Sequence, residues 1–213
     1  MASIIERERN PVRTREAILD AAERLFADQG FEATSLNEVG ALAGVSRGTP
    51  GYFFGSKGDL YRAVLERCLE RVRAAVRSGR ERALASGESP EVVLAGAVGE
   101  YFDFITANPN FVRLMEREAL GGGKQLRELP PHLEIAHEAV SAIGAELGLD
   151  AGEASQLLLS IIGLCWFPLI HSGTLIGALG IEASDPAFLE ERKRHVIDLV
   201  VQGVRGRLAA RSS

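Results

Sequence analysis

The 213 residues include only two cysteines, Cys68 and Cys165, in unrelated contexts and with no Cys-x-x-Cys pair. That scarcity excludes a disulfide framework and a zinc knuckle, and points to a reducing, cytoplasmic setting. Residues 1–9 are too charged and too poor in apolar side chains to read as a secretory leader. No alternating apolar–polar run of useful length is present, which argues against a sheet. The four histidines, His132, His137, His171 and His195, show no metal-ligand spacing, and neither a nucleophile-elbow nor a phosphate-loop motif occurs. No catalytic residue, metal site or cofactor is therefore expected. Positive charge is not in surplus either. The net charge is −5, so any polyanion would have to be met by a local patch.

What remains is a globular composition: 46 % of residues are hydrophobic, and proline and glycine fall in discrete clusters. The apolar residues repeat at helical spacing. Ile18, Ala22, Leu25 and Phe26 share one face, with Gly30 placed to stop that helix. Ser35 with Glu38, and Ser56 with Asp59, have the spacing of capping boxes; Asp150 and Glu153 start a later helix in the same way. Ser89-Pro90, Asn108-Pro109 and Asp185-Pro186 each place proline at a first helical position, where its missing N–H costs nothing. Residues 121–123 and Pro130-Pro131 bracket a loop. The expectation is an all-α chain of about nine helices, with a three-helix head on a larger helical body.

Within that head, Ala43-Gly44-Val45-Ser46 has the chemistry of the turn in a helix-turn-helix. Gly44 permits the positive φ that ends one helix, Val45 plugs the gap between helices, and Ser46 restarts the chain as a cap. Residues 47–54 would then enter a DNA groove, with Gly48 and Gly51 small enough for close approach. Arg47 can read guanine or pair with phosphate, and Thr49 can touch a thymine methyl or a phosphate. Lys57, at the start of the next helix, adds charge to free backbone N–H groups, as a phosphate clamp does. Residues 39–58 contain no acid. Arg7, Arg9, Arg13 and Arg15, interleaved with Glu6 and Glu8, make either an arm that reaches DNA or a solvated tail.

This stretch resembles the tetracycline-repressor (TetR) family. The matching residues are 14–26, Gly30-Phe31, Ala33-Thr34-Ser35, Ala43 to Ser46, Gly48-Thr49, Tyr52-Phe53-Phe54 and Ser56-Lys57, in order and with their spacing kept. The resemblance implies that Thr34 or Ser35, Arg47, Thr49, Tyr52 and Lys57 contact double-stranded DNA. It gives Phe26, Phe31 and Phe54 the task of holding the head together. The pattern departs at Pro50-Gly51, so the reading helix is expected to start late or to be distorted in its first turn.

Residues 1–57 are accordingly read as arm and DNA-binding head, and 58–213 as the effector-binding and dimerisation body. By resemblance alone, the body binds a small molecule and pairs two copies over a palindromic operator. Among the aromatic and soft side chains at Tyr101, Phe102, Phe104, Phe111, Met115, Trp166 and Phe167, the candidates for an apolar pocket are Phe102, Met115, Trp166 and Phe167, with His171 as a polar handle. Residues 62–82 carry seven arginines against three glutamates, read as a solvated face. Residues 154–181 are uncharged, but Pro168 and four glycines interrupt them, which favours a helix buried against a partner over a membrane span. The function expected is a sequence-specific regulator, a repressor released by an apolar ligand. The alternatives are a constitutive DNA-binding regulator without effector, or an all-α enzyme.

Overall fold

The computed structural model describes residues 11–211, and among them every regular element is helical. The head comprises α1 (Pro11–Ala33), α2 (Leu36–Leu42) and α3 (Thr49–Phe54). The long α4 (Lys57–Ala85) leads into a body of α5 (Pro90–Ala107), α6 (Pro109–Leu120), α7 (Lys124–Arg127), α8 (Pro130–Leu147), α9 (Ala151–Ile170) and α10 (Pro186–Arg211). Two elements exceed the expected nine. One is α7, a single turn inside the loop before Pro130; the other is a π-helical turn, Ser172–Ile176.

Helix starts follow local chemistry. Ser35, Ser56 and Asp150 form reciprocal capping boxes with Glu38, Asp59 and Glu153. The Asp185 carboxylate accepts from the Ala187 N–H at 3.0 Å. Ser89 and Asn108 precede their prolines without capping through their side chains. The Asn108 amide instead donates to the Phe104 carbonyl at 2.7 Å, and its oxygen accepts from Arg71.

α4 is the spine of the molecule. Leu60, Val64 and Leu65 are fully buried in the same core as Ile18, Leu19 and Phe26 of α1, while Leu69 and Val72 reach the body. Of its seven arginines between 62 and 82, four (Arg62, Arg71, Arg77 and Arg82) stay exposed as expected, while Arg67, Arg73 and Arg80 are half-buried, and most reach carboxylates on other helices. Arg67 pairs with Asp20 (2.7 Å) and Glu23 (2.6 Å) of α1, Arg73 with Glu138 of α8, Arg80 with Glu146 of α8, and Arg82 with Glu100 of α5. Because α4 touches α1, α5 and α8 in turn, arginines at helical spacing find a carboxylate on each neighbour.

Pro168 does not interrupt α9, which continues to Ile170. Proline removes the N–H that would have bonded the Leu164 carbonyl one turn back. Arg192 of α10 donates to that carbonyl at 2.9 Å and so ties α10 to α9. By length and composition α9 could cross a membrane, yet Ala154, Ile161 and Cys165 are buried in the core. Leu159 and Phe167 of α9 are exposed, as are Leu175, Leu179 and Leu199.

Candidate nucleic-acid interface and internal cavity

The turn between α2 and α3 has the expected backbone. Gly44 takes φ +67°, and the Val45 N–H returns to the Gly40 carbonyl at 2.9 Å. Val45 is half-buried against the core. Ser46 is not the cap that its position suggests. Its hydroxyl lies 2.6 Å from the Thr49 hydroxyl, its carbonyl accepts from the Thr49 N–H, and α3 begins only at Thr49 after Gly48. This late start resolves Pro50, which becomes the second helical residue, where no N–H partner is needed. The buried proline ring rests on Gly40 of α2. A methyl there would stand 3.4 Å from Pro50 Cγ and 3.2 Å from the Ser46 carbonyl. Gly40 was missed in the sequence because a glycine within a short apolar stripe gives no sign of what crosses it.

Arg47, Gly48 and Tyr52 project outward, Tyr52 being 86 % exposed, while Thr49 and Gly51 are half-buried beside them. Ser35 is committed to its capping box. Thr34 and Lys57, both expected at DNA, have partners within the protein. Thr34 is buried, and its hydroxyl donates to the Gly30 carbonyl at 2.8 Å. Lys57 donates from Nζ to the carbonyls of Phe31 (2.9 Å) and Glu32 (3.2 Å), over the Phe31 ring. Arg7 and Arg9 lie outside the described residues. Arg13 and Arg15 belong to α1 rather than to an arm, and Arg15 sits 4.9 Å over the Phe54 ring.

The reason for Lys57's position is the break in α1. Gly30 adopts φ 84°, ψ 173°, which stops the regular ladder and leaves carbonyls to be satisfied from outside. Arg117 of α6 donates to the carbonyls of Ala27 (2.9 Å) and Asp28 (2.7 Å), while Arg113 pairs with the Asp28 side chain at 3.0 Å. Below the break, Phe26, Phe31 and Tyr61 pack ring on ring. The Tyr61 phenol donates to buried Glu118 of α6 at 2.8 Å; burial and this carboxylate raise the phenol's pKa, so it stays protonated. Head and body are thus joined by α6 as well as by α4.

On its other side α6 faces a cavity of about 470 Å³. Val72 and Val76 of α4, Val98 of α5, Met115 of α6, Ile143 of α8 and Ile161 of α9 are among its walls. Tyr101, Phe111 and Trp166 also line it, and the Trp166 N–H donates to the Tyr101 oxygen. Of the pocket residues expected from sequence, Met115 and Trp166 are on the wall. Phe102 is buried in the core instead. Phe167 and His171 stack on each other at 4.4 Å, away from the cavity, where α9 ends. Helical spacing explains the error: residues adjacent in sequence point to different faces, so Tyr101 and Trp166 take the cavity while Phe102 and Phe167 do not. Both cysteines are free and buried, and burial pushes their thiols up to about 12, which suits neither nucleophile nor metal ligand.

Residues 18–64 match the family described as bacterial regulatory proteins, tetR family, and residues 90–200 match the tetracyclin repressor-like C-terminal domain. The transcriptional repressor NicS of Pseudomonas putida is 27 % identical over 203 residues, covering 91 % of this chain and 93 % of that protein. The transcriptional activator FasR of Mycolicibacterium smegmatis is 29 % identical over 152 residues, 70 % of this chain and 68 % of that protein. Among solved structures, a TetR-like transcriptional regulator from Rhodococcus sp. RHA1 superposes with TM-score 0.67 at 18 % identity, covering 91 % of this chain and 96 % of that one.

Proposed function

The chain belongs to the tetR family of bacterial regulatory proteins, and from that premise we propose that this DNA-binding transcription regulator is a homodimeric repressor released by a small apolar ligand. The observation that carries the reading is the double duty of α6. Phe111 and Met115 on one face line the cavity, while Arg113 and Arg117 on the other hold the broken end of α1. A ligand that binds better when α6 is displaced carries the head with it, by an amount limited to its differential affinity for the two forms.

In this reading residues 1–57 are the DNA-binding unit and 58–213 the effector and dimer unit. Arg47, Thr49 and Tyr52 contact DNA, with Gly48 and Gly51 allowing close approach and Ser35 presenting the N-terminus of α2. Thr34 and Lys57 act as positioning residues that hold α1 and α4 in register. The apolar surface of α9 and α10, including Leu159, Phe167 and Leu199, pairs with its copy around a two-fold axis. That symmetry sets two α3 helices roughly 34–36 Å apart over a palindromic operator.

A gel shift against DNA upstream of the chain's own gene tests this, repeated with candidate ligands and with excess unrelated duplex as competitor. A symmetric footprint whose occupancy falls with ligand is the expected outcome; sequence-indifferent binding contradicts it. Similarity to the repressor NicS over nearly the whole chain supports repression, and similarity to the activator FasR supports the opposite sign. Deleting the gene raises transcription from the operator if the chain represses, and lowers it if the chain activates.

A further inference from the structure

The cavity wall is mostly apolar, and its arginines and glutamates come from α4 and α8 alone. Three arginines of α4, Arg73, Arg77 and Arg80, face two glutamates of α8, Glu138 and Glu146. The positions 73, 77 and 80 lie on one face of a helix, so the cations form a row along α4. Arg73 is held by Glu138, with a bond of 2.9 Å from Nε, and also by Glu70 at 3.2 Å. Arg80 is held by Glu146. Arg77 has only a 3.5 Å contact with Glu138, a carboxylate already engaged by Arg73, and its side chain is 52 % exposed. Arg77 is therefore the least engaged of the three cations, in a chain whose net charge is −5.

Pure stapling of α4 to α8 would need Arg73 and Arg80 alone. Apart from these charges, the polar groups on the lining are the Tyr101 hydroxyl, which accepts from the Trp166 N–H, and His132; neither is a fixed cation. We propose that the effector is an amphiphile, an apolar body in the cavity with one anionic group, carboxylate or phosphate, held by Arg77 and Arg73. This inference rests on the effector reading above. The anion competes with Glu138, whose carboxyl Arg73 holds below the usual range, so the competition is between two ionised groups. Binding exchanges an α4–α8 tie for a ligand tie on the helix that carries the head.

Trp166 is the only tryptophan and lines the cavity, so its fluorescence reports occupancy directly. The probes are dodecanoate, dodecyl phosphate and methyl dodecanoate, each below its micelle concentration. Both anions should bind at least about tenfold more tightly than the ester, the scale of one charge-assisted contact. The tighter of the two anions identifies the head group. Arg77→Gln should remove about tenfold from anion binding and leave the ester within about twofold. Glu138→Gln should tighten both anions by freeing Arg73 and Arg77. An ester that binds as well as the anions, or that weakens equally in Arg77→Gln, overturns the anionic head and leaves the effector reading standing. Failure of all three probes to alter Trp166 fluorescence overturns both.

Discussion

Arg47 and Lys57 are both cations beside α3, yet their surroundings differ. Arg47 is exposed and has no side-chain bond to any of the described residues, whereas Lys57 closes two carbonyls at the end of α1. Arg47→Ala should leave the unfolding midpoint unchanged and relax specificity at one base pair by about 1–3 kcal/mol if it reads a base. Lys57→Ala should instead cost stability, about 1–2 kcal/mol by denaturant unfolding, because it strips charge-assisted bonds from a half-buried site. The reverse pattern, a stable Lys57→Ala protein that has lost affinity for all duplexes alike, would restore Lys57 as a phosphate clamp. The positive charge of Lys57 is plain in the sequence; its partners are not, because they lie 26 and 25 residues away and depend on the backbone of Gly30.

At the scale of elements, starts and stops were legible wherever their chemistry is local. The capping boxes at Ser35, Ser56 and Asp150 lie within three residues of their partners and were found where expected. Ser46 misled because Pro50 moves the favourable start of α3 to Thr49, and a cap three residues early has no helix to cap. Contacts between helices were not legible. The half-burial of Arg67, Arg73 and Arg80 has no sign in the sequence because their carboxylates sit on α1 and α8. The same holds for Arg192, whose partner exists only because Pro168 freed the Leu164 carbonyl. α6 yields the sharpest test at this scale. Arg117→Ala removes its bonds to Ala27 and Asp28 without touching the cavity wall, so ligand binding seen through Trp166 should persist while ligand-driven loss of DNA is blunted. Full release in Arg117→Ala would show that α6 does not carry the signal and would leave that role to α4.

Across the whole molecule, one continuous core runs from Phe26 in the head to Ile161 and Cys165 in α9, so the head is not an independent bead on a linker. The residues that give the family resemblance occupy the head, where turn chemistry and aromatic packing leave a readable sequence pattern. The body is defined by a cavity and an apolar outer face, both built from many interchangeable side chains, and so leaves a fainter one. Coupling between the two halves is the central claim, and one titration addresses it directly. Operator duplex, labelled for fluorescence anisotropy, is titrated with the protein, first alone and then with the cavity filled as judged by Trp166. Filling the cavity should weaken operator binding by about tenfold or more, the usual scale of coupling between two sites. Superimposable curves with the cavity empty and full would contradict it.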